Sequence, residues 1–183
     1  GDYVTTVKVR ERIEQKKVIS IGYPPNPESV LLLKPDLFIA DIPTLDGIEK
    51  IQNLKVPTIF VYEYEELTPL ARAEWIKFIA EFFNKELLAE NIFNNIVQTY
   101  LVIKKITQNE KVKPKVLVGQ NKNGIWYGPG GRSDFAQLLQ DAGAVYLWSN
   151  DHSNRSISHK FELILKQAKA AQFWLPQNNW TKK

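Results

Sequence analysis

Five short runs, DLFIAD (36–41), TIFVY (58–62), KVLVG (115–119), VYLW (145–148) and AQFWL (171–175), are apolar at consecutive positions, and a stretch of helical spacing leads into each. A run too short for a helix and apolar throughout, as DLFIAD is, predicts a strand buried on both faces. Strands that alternate with helices are joined by crossovers, so they lie parallel to their neighbours. The fold class that follows is α/β with parallel sheets.

The helical stretches carry their own boundaries. Asn26-Pro27-Glu28 sets a capping residue, a proline at the first helical position and a first-turn acid before Val30, Leu31 and Leu33. It predicts a helix from Pro27 that stops before Lys34-Pro35. Lys8 to Lys17 is charge-dense with Val9 and Ile13 four apart, which predicts a short helix with a solvated outer face. Ile42 to Leu45 reads as a turn, and Leu45, Ile48, Ile51 and Leu54 fall at helical spacing after DLFIAD.

No strand pattern occurs between Pro69 and Gln108. Ala73, Ile76, Ile79 and Phe83 mark one apolar stripe and Leu88, Ile92, Ile96, Ile103 and Ile106 another, with the change of phase at Asn84-Lys85. Two helices are expected, the second unusually long. Beyond KVLVG come a polar, Gly-rich loop, a helix from Ser133 to Ala142 closed by Gly143, and a helix through Phe161, Ile164, Leu165 and Ala168 with Ser158 as its cap. Trp75 and Trp174 read as core residues. The chain therefore divides into an α/β block at 1–68, a helical segment at 69–110 and a second α/β block at 111–183.

Charge and composition narrow the function. Lys and Arg number 24 against 20 Asp and Glu, a net charge of +4 that is too small to mark a nucleic-acid footprint. With no cysteine there is no disulfide, thiolate metal site or cysteine nucleophile. His152 and His159 are the only histidines, too few for a nitrogen-rich metal set, so no metal ligand is assigned. Asp151-His152 with Ser149 or Ser153 is a nominal acid, base and nucleophile set, but neighbours on one loop do not reach triad geometry, and no catalytic residue is assigned. No apolar run approaches the roughly 20 residues of a membrane span, and no signal-peptide pattern opens the chain. It reads as soluble, with any export signal removed or outside it.

In open α/β sheets ligands gather at the carboxyl ends of the strands. Tyr62 and Tyr64 follow TIFVY, Trp126 and Tyr127 precede Gly128-Pro129-Gly130-Gly131, and Trp148 ends VYLW. Such flat surfaces suit a macrocycle or aromatic chelate, or else the packing of the fold. The glycines allow close backbone approach, and Arg132-Ser133 at a helix start would attract an anion, unless the segment is a plain turn. Glu28 and Glu162 each open a helix that feeds a strand, a weak internal echo that on pattern alone complements the helix dipoles.

The run N-P-E-S-V-L-L-L-K-P-D-L-F-I-A from Asn26 resembles the signature of class III periplasmic substrate-binding proteins, the ferric-siderophore, cobalamin and haem type. P-L-A-R-A-E-W-I-K-F-I-A from Pro69, K-P-K-V-L-V, W-Y-G-P-G-G-R-S and D-A-G-A recur in the same order in such proteins, and the resemblance spans about Tyr3 to Leu175. It implies two Rossmann-like lobes with parallel sheets joined by a long helix, with a ligand in the cleft between them delivered to an ATP-driven importer. The cargo would be a ferric siderophore, with cobalamin or haem close behind. Ligand contacts would come from Tyr62, Tyr64, Trp126, Tyr127, Arg132 and Trp148, while Glu28 and Glu162 would meet arginines of the membrane permease. Localisation would be periplasmic, or exported and membrane-anchored.

Relative to the family pattern both ends are short, which makes a homodimer that covers an exposed sheet edge an expectation if the chain is truncated. The readings set against the importer component are a truncated homologue acting as an interaction module, and an enzyme or chelatase on the same architecture.

Overall fold

A computed structural model describes residues 4, 6–41 and 46–176. The chain divides into two compact units, Gly1–Tyr62 and Glu63–Lys183.

In the first unit, α1 (Val7–Glu14) buries none of its side chains, as its charge density requires. The next helix, α2 (Pro27–Leu33), begins where Asn26-Pro27-Glu28 predicts, with the Asn26 side chain accepting the Ser29 amide at 2.8 Å. Strand β1 (Phe38–Ala40) runs parallel to β2 (Thr58–Phe60), and α3 (Ile48–Asn53) connects them. The predicted turn at Ile42 to Leu45 lies outside the described residues. Val30, Phe38, Ala40, Ile48 and Ile51 form the core between the strand pair and the two helices. DLFIAD is not buried on both faces: Phe38 and Ala40 point into this core, whereas Ile39 is 43% exposed. Both helices that supply core side chains contribute to the same cluster.

The second unit opens with a 3-10 turn, Glu63–Glu65, followed by α4 (Pro69–Glu81) and α5 (Glu86–Gln108). The joint falls where the stripe changes phase, and Asn84 takes the left-handed conformation (φ 51°) that asparagine tolerates better than most residues. At 23 residues α5 is roughly 35 Å long at 1.5 Å per residue. Two three-stranded sheets follow. One is parallel, in the order β6 (Val145–Tyr146), β3 (Lys115–Val118), β8 (Phe173–Leu175). The other is antiparallel, in the order β4 (Gln120–Lys122), β5 (Ile125–Pro129), β7 (Ser156–Lys160). Helices α6 (Asp134–Asp141) and α7 (Phe161–Ala168) complete the unit. The α/β class with parallel sheets is as expected, and the antiparallel sheet is an addition to it.

That second sheet corrects two expectations. The polar loop after KVLVG is a hairpin: Asn123 (φ 54°) and Gly124 (φ 80°) make the two-residue turn with positive φ at both positions that matches strand twist. Ser158 caps no helix; it pairs with Tyr127 inside β7, and α7 starts after Lys160 without a side-chain cap. Here the cross-strand ladder outcompetes the capping preference.

The core of this unit gathers Val116, Leu117, Val118, Trp126, Ala136, Leu139, Tyr146, Trp148 and Ile164. Neither Trp75 nor Trp174 belongs to it. Trp75 is half-buried with its indole N–H on Glu66, and Trp174 is 44% exposed on the edge strand β8, donating to the Gly119 carbonyl at 2.8 Å.

A polar knot joins α5 to α6. Asp141 accepts hydrogen bonds from Tyr100 and from Gln137 and pairs with Lys104 at 3.0 Å, while the Thr107 hydroxyl donates to the Asp141 carbonyl at 2.6 Å. Burial works against the charged carboxylate, but the bonds from Tyr100, Lys104 and Gln137 outweigh it and hold Asp141 below its ordinary range. Burial first, and Asp141 second, push the Tyr100 phenol above its ordinary value.

Candidate functional site

Three loops of the second unit interlock at one place: the 3-10 turn Glu63–Glu65, the segment from Pro129 to Asp134 that enters α6, and the loop from Trp148 to Ser156. Backbone bonds fasten the second to the third, Gly130 N–H to Arg155 O at 2.8 Å and Arg132 N–H to Ser153 O at 2.9 Å. Ion pairs fasten the first to the others. Arg72 of α4 bridges Glu63 at 3.5 Å and Asp134 at 3.0 Å, and Arg155 pairs with Glu65. The Asp134 hydrogen bond is the main cause that raises the Arg72 guanidinium further above its ordinary value, with the charges of Asp134 and Glu63 adding to it against desolvation.

The glycines serve this interlock. A Cβ on Gly130 would lie 2.3 Å from the Ser153 carbonyl oxygen, and one on Gly131 2.3 Å from that of Trp148 and 2.4 Å from that of Asp151. They bring the chain's own backbone close. Gly131→Ala is accordingly expected to destabilise the fold by about 1–3 kcal/mol, the range of a forced overpacking, read as a lower urea midpoint with an unchanged slope. An unchanged midpoint would show that the loops yield freely.

The start of α6 is likewise served from within. Ser133 is buried, its hydroxyl accepts the Ala136 amide at 3.1 Å and donates to the Gly130 carbonyl at 2.8 Å, and Asp134 sits in the first turn. Arg132 is exposed beside it, and its guanidinium has no side-chain partner among the described residues. Tyr64 is 39% exposed on the 3-10 turn between the two paired acids.

The remaining candidates lie elsewhere. Tyr62 ends the first unit, half-buried and stacked on Phe60 with centroids 6.2 Å apart. Tyr127 is exposed on β5 with Ile125, on the side of the strand opposite Trp126. The Trp126 and Trp148 rings are core, 4% and 8% exposed, with their N–H groups on Val118 O and Gln167 Oε1. Glu28 and Glu162 are exposed in the first turns of α2 and α7, and each helix feeds a strand, as α3 with Glu49 and α6 with Asp134 also do.

Sequence reasoning passed over Arg72, Glu65, Asp134 and Arg155, which organise the loops. Their pairings span 62 residues for Arg72–Asp134 and 90 for Arg155–Glu65, and no local motif reports such contacts. Asp151 and Ser153 do not assemble a triad. The Asp151 carboxylate accepts the amides of Ser153 at 2.8 Å and Gly131 at 3.4 Å, and the Ser153 hydroxyl donates to the Arg155 carbonyl at 3.3 Å. Among the described residues no group of three or more metal-ligating side chains forms, and no helix is long and apolar enough to cross a membrane. A separate apolar groove lies between α7 and β8, lined by residues such as Phe161, Leu165, Phe173 and Trp174, with no charged side chain among the described residues that line it.

A family model described as "Periplasmic binding protein" matches residues 1–183. The chain is similar to an uncharacterised lipoprotein of Methanocaldococcus jannaschii, 27% identical over 175 residues, which cover 91% of this chain and 41% of that protein. In structure it is similar to a protein of Staphylococcus epidermidis described as a possible iron-binding, periplasmic solute-binding protein. That match has a TM-score of 0.64 at 18% identity and covers 86% of this chain and 60% of the other. It is also similar to a periplasmic haem-binding protein in complex with two haems, with a TM-score of 0.67 at 16% identity over 88% of this chain and 61% of the other. At these identities the structural likeness is one of fold. The chain thus spans about two fifths of that curated relative's length and three fifths of those solved chains.

Proposed function

The chain belongs to the periplasmic binding protein family, and from that premise we propose that it is the substrate-binding component of an ABC importer whose cargo is a chelated metal. Ferric siderophores are the first candidates, with haem and cobalamin close behind. The observation that carries this reading is the interlock of three loops in the second unit, which presents Arg132 and Tyr64 on a backbone fixed by hydrogen bonds and ion pairs. A rigid frame with a few exposed polar and aromatic groups lowers the ordering cost of capture. Tyr62 and Tyr127 are further contacts in this reading, whereas Trp126 and Trp148 support the frame from beneath.

What the related proteins are described as binding, iron in one and haem in another, supports the cargo class. The lipoprotein description of the Methanocaldococcus relative supports an exported, membrane-anchored location. Glu28 and Glu162 are the proposed contacts to the permease; exposed acids on repeated helix starts would set docking register and on-rate more than affinity.

Equilibrium dialysis against hemin, ferric citrate, ferrichrome and cyanocobalamin tests the reading. One of them should be retained saturably, and Arg132→Ala should weaken an anionic ligand about tenfold, the loss of one charge-assisted bond. Retention of none would contradict it.

A further inference from the structure

The two ion pairs that hold the 3-10 turn differ in kind. Arg72 is gripped from two sides, by Glu63 and Asp134, and the Asp134 carboxylate is only 20% exposed. Arg155 has a single carboxylate partner, Glu65, and its side chain stays 71% exposed while paired. An ion pair that open to water gains little from closing, so it exchanges readily for another of the same chemistry. The Arg155 backbone does not share this freedom. Its carbonyl accepts from Gly130 N–H at 2.8 Å, and its own N–H donates to the Ser153 hydroxyl at 3.1 Å. The guanidinium therefore hangs from a fixed point beside the segment that carries Arg132.

We propose that the Arg155–Glu65 pair is a clamp that an anionic chelate opens, a carboxylate of the ligand replacing Glu65 on the Arg155 guanidinium. The site then selects carboxylate-bearing chelates over neutral ones. This deepens the importer reading and rests on it. The pairings of the three loops explain why Glu65 must yield: Glu63 and Asp134 hold Arg72, Asp151 is taken up by the Gly131 and Ser153 amides, and among the described residues Glu65 alone occupies Arg155, so an anion that reaches Arg155 must displace Glu65. Glu65 acts as a placeholder, keeping Arg155 satisfied in the empty protein and setting a threshold that a neutral ligand gains nothing by crossing.

Calorimetric titration at fixed ionic strength of the 183-residue chain, Glu65→Gln and Arg155→Gln with hemin, hemin dimethyl ester, ferric citrate, ferrichrome and cyanocobalamin tests the clamp. Circular dichroism checks that each variant is folded. Glu65→Gln should bind hemin or ferric citrate roughly two- to fivefold tighter than the unaltered chain, the span of an exposed ion pair. Arg155→Gln should bind them about tenfold weaker, and the ester should respond to neither change. Equal affinity of Glu65→Gln and the unaltered chain for the anionic ligands overturns the clamp and leaves the importer reading standing, as does preference for ferrichrome or cyanocobalamin. Binding of no chelate by the unaltered chain overturns both.

Discussion

Trp126→Ala is expected to cost about 3–5 kcal/mol of stability, the range for removing a large buried aromatic. The indole is 4% exposed, stacks on Phe161 at 6.2 Å and donates to the Val118 carbonyl at 3.1 Å, so truncation opens a cavity and strands an acceptor together. Urea denaturation followed by far-UV circular dichroism reads it as a large fall in midpoint. A ring that faced ligand instead would lose binding and leave the midpoint in place. That outcome would move Trp126 from the frame to the site.

The knot at Asp141 carries the second large effect. Its carboxylate is 11% exposed and holds Tyr100, Lys104 and Gln137, so Asp141→Ala leaves a phenol and an ammonium without their partner at a half-buried junction. A loss of about 3 kcal/mol is expected, the scale of one to two bonds to a charged group. The sign of its pH dependence follows from the lowered folded value. The contribution is complete above the ordinary unfolded value of about 4 and disappears as pH falls through the lower folded one. Between those two values the unaltered chain should lose stability faster than Asp141→Asn. Parallel pH profiles would show that Asp141 carries no charge-dependent stability.

Much of the fold is written locally. Asn26-Pro27-Glu28 fixes the start of α2 because cap, proline and acid act within one turn, and Asn84 marks the α4–α5 joint because asparagine lowers helix propensity where the apolar stripe changes phase. The hairpin was equally legible, since Asn123-Gly124 before Ile125-Trp126-Tyr127 is a strong turn signal. Reading that stretch by its polarity hid it. Ser158 shows the opposite limit: its capping chemistry is local, but the ladder to Tyr127 that overrides it is not. Burial was the least legible property. Ile39 and Trp174 sit in apolar runs, and their exposure depends on which elements cover β1 and β8.

The site divides along the same line. Arg132 and Tyr64 stand out in the sequence through their neighbours, the glycine turn and the end of TIFVY. In the proposed site they stand on the interlock beneath them, and Arg155–Glu65 joins residues 90 positions apart. Trp126 and Trp148 attracted notice for their aromatic surface, but that surface is spent on the core.

The most direct test of the central claim, capture of a metal chelate by this chain, is a tryptophan-fluorescence titration. Hemin, ferric citrate, ferrichrome and cyanocobalamin would each be added with correction for inner-filter absorption. Saturable quenching by one of them, at one equivalent and weakened by Arg132→Ala, is the predicted result. Linear, unsaturable quenching by all four from a chain shown to be folded would contradict it.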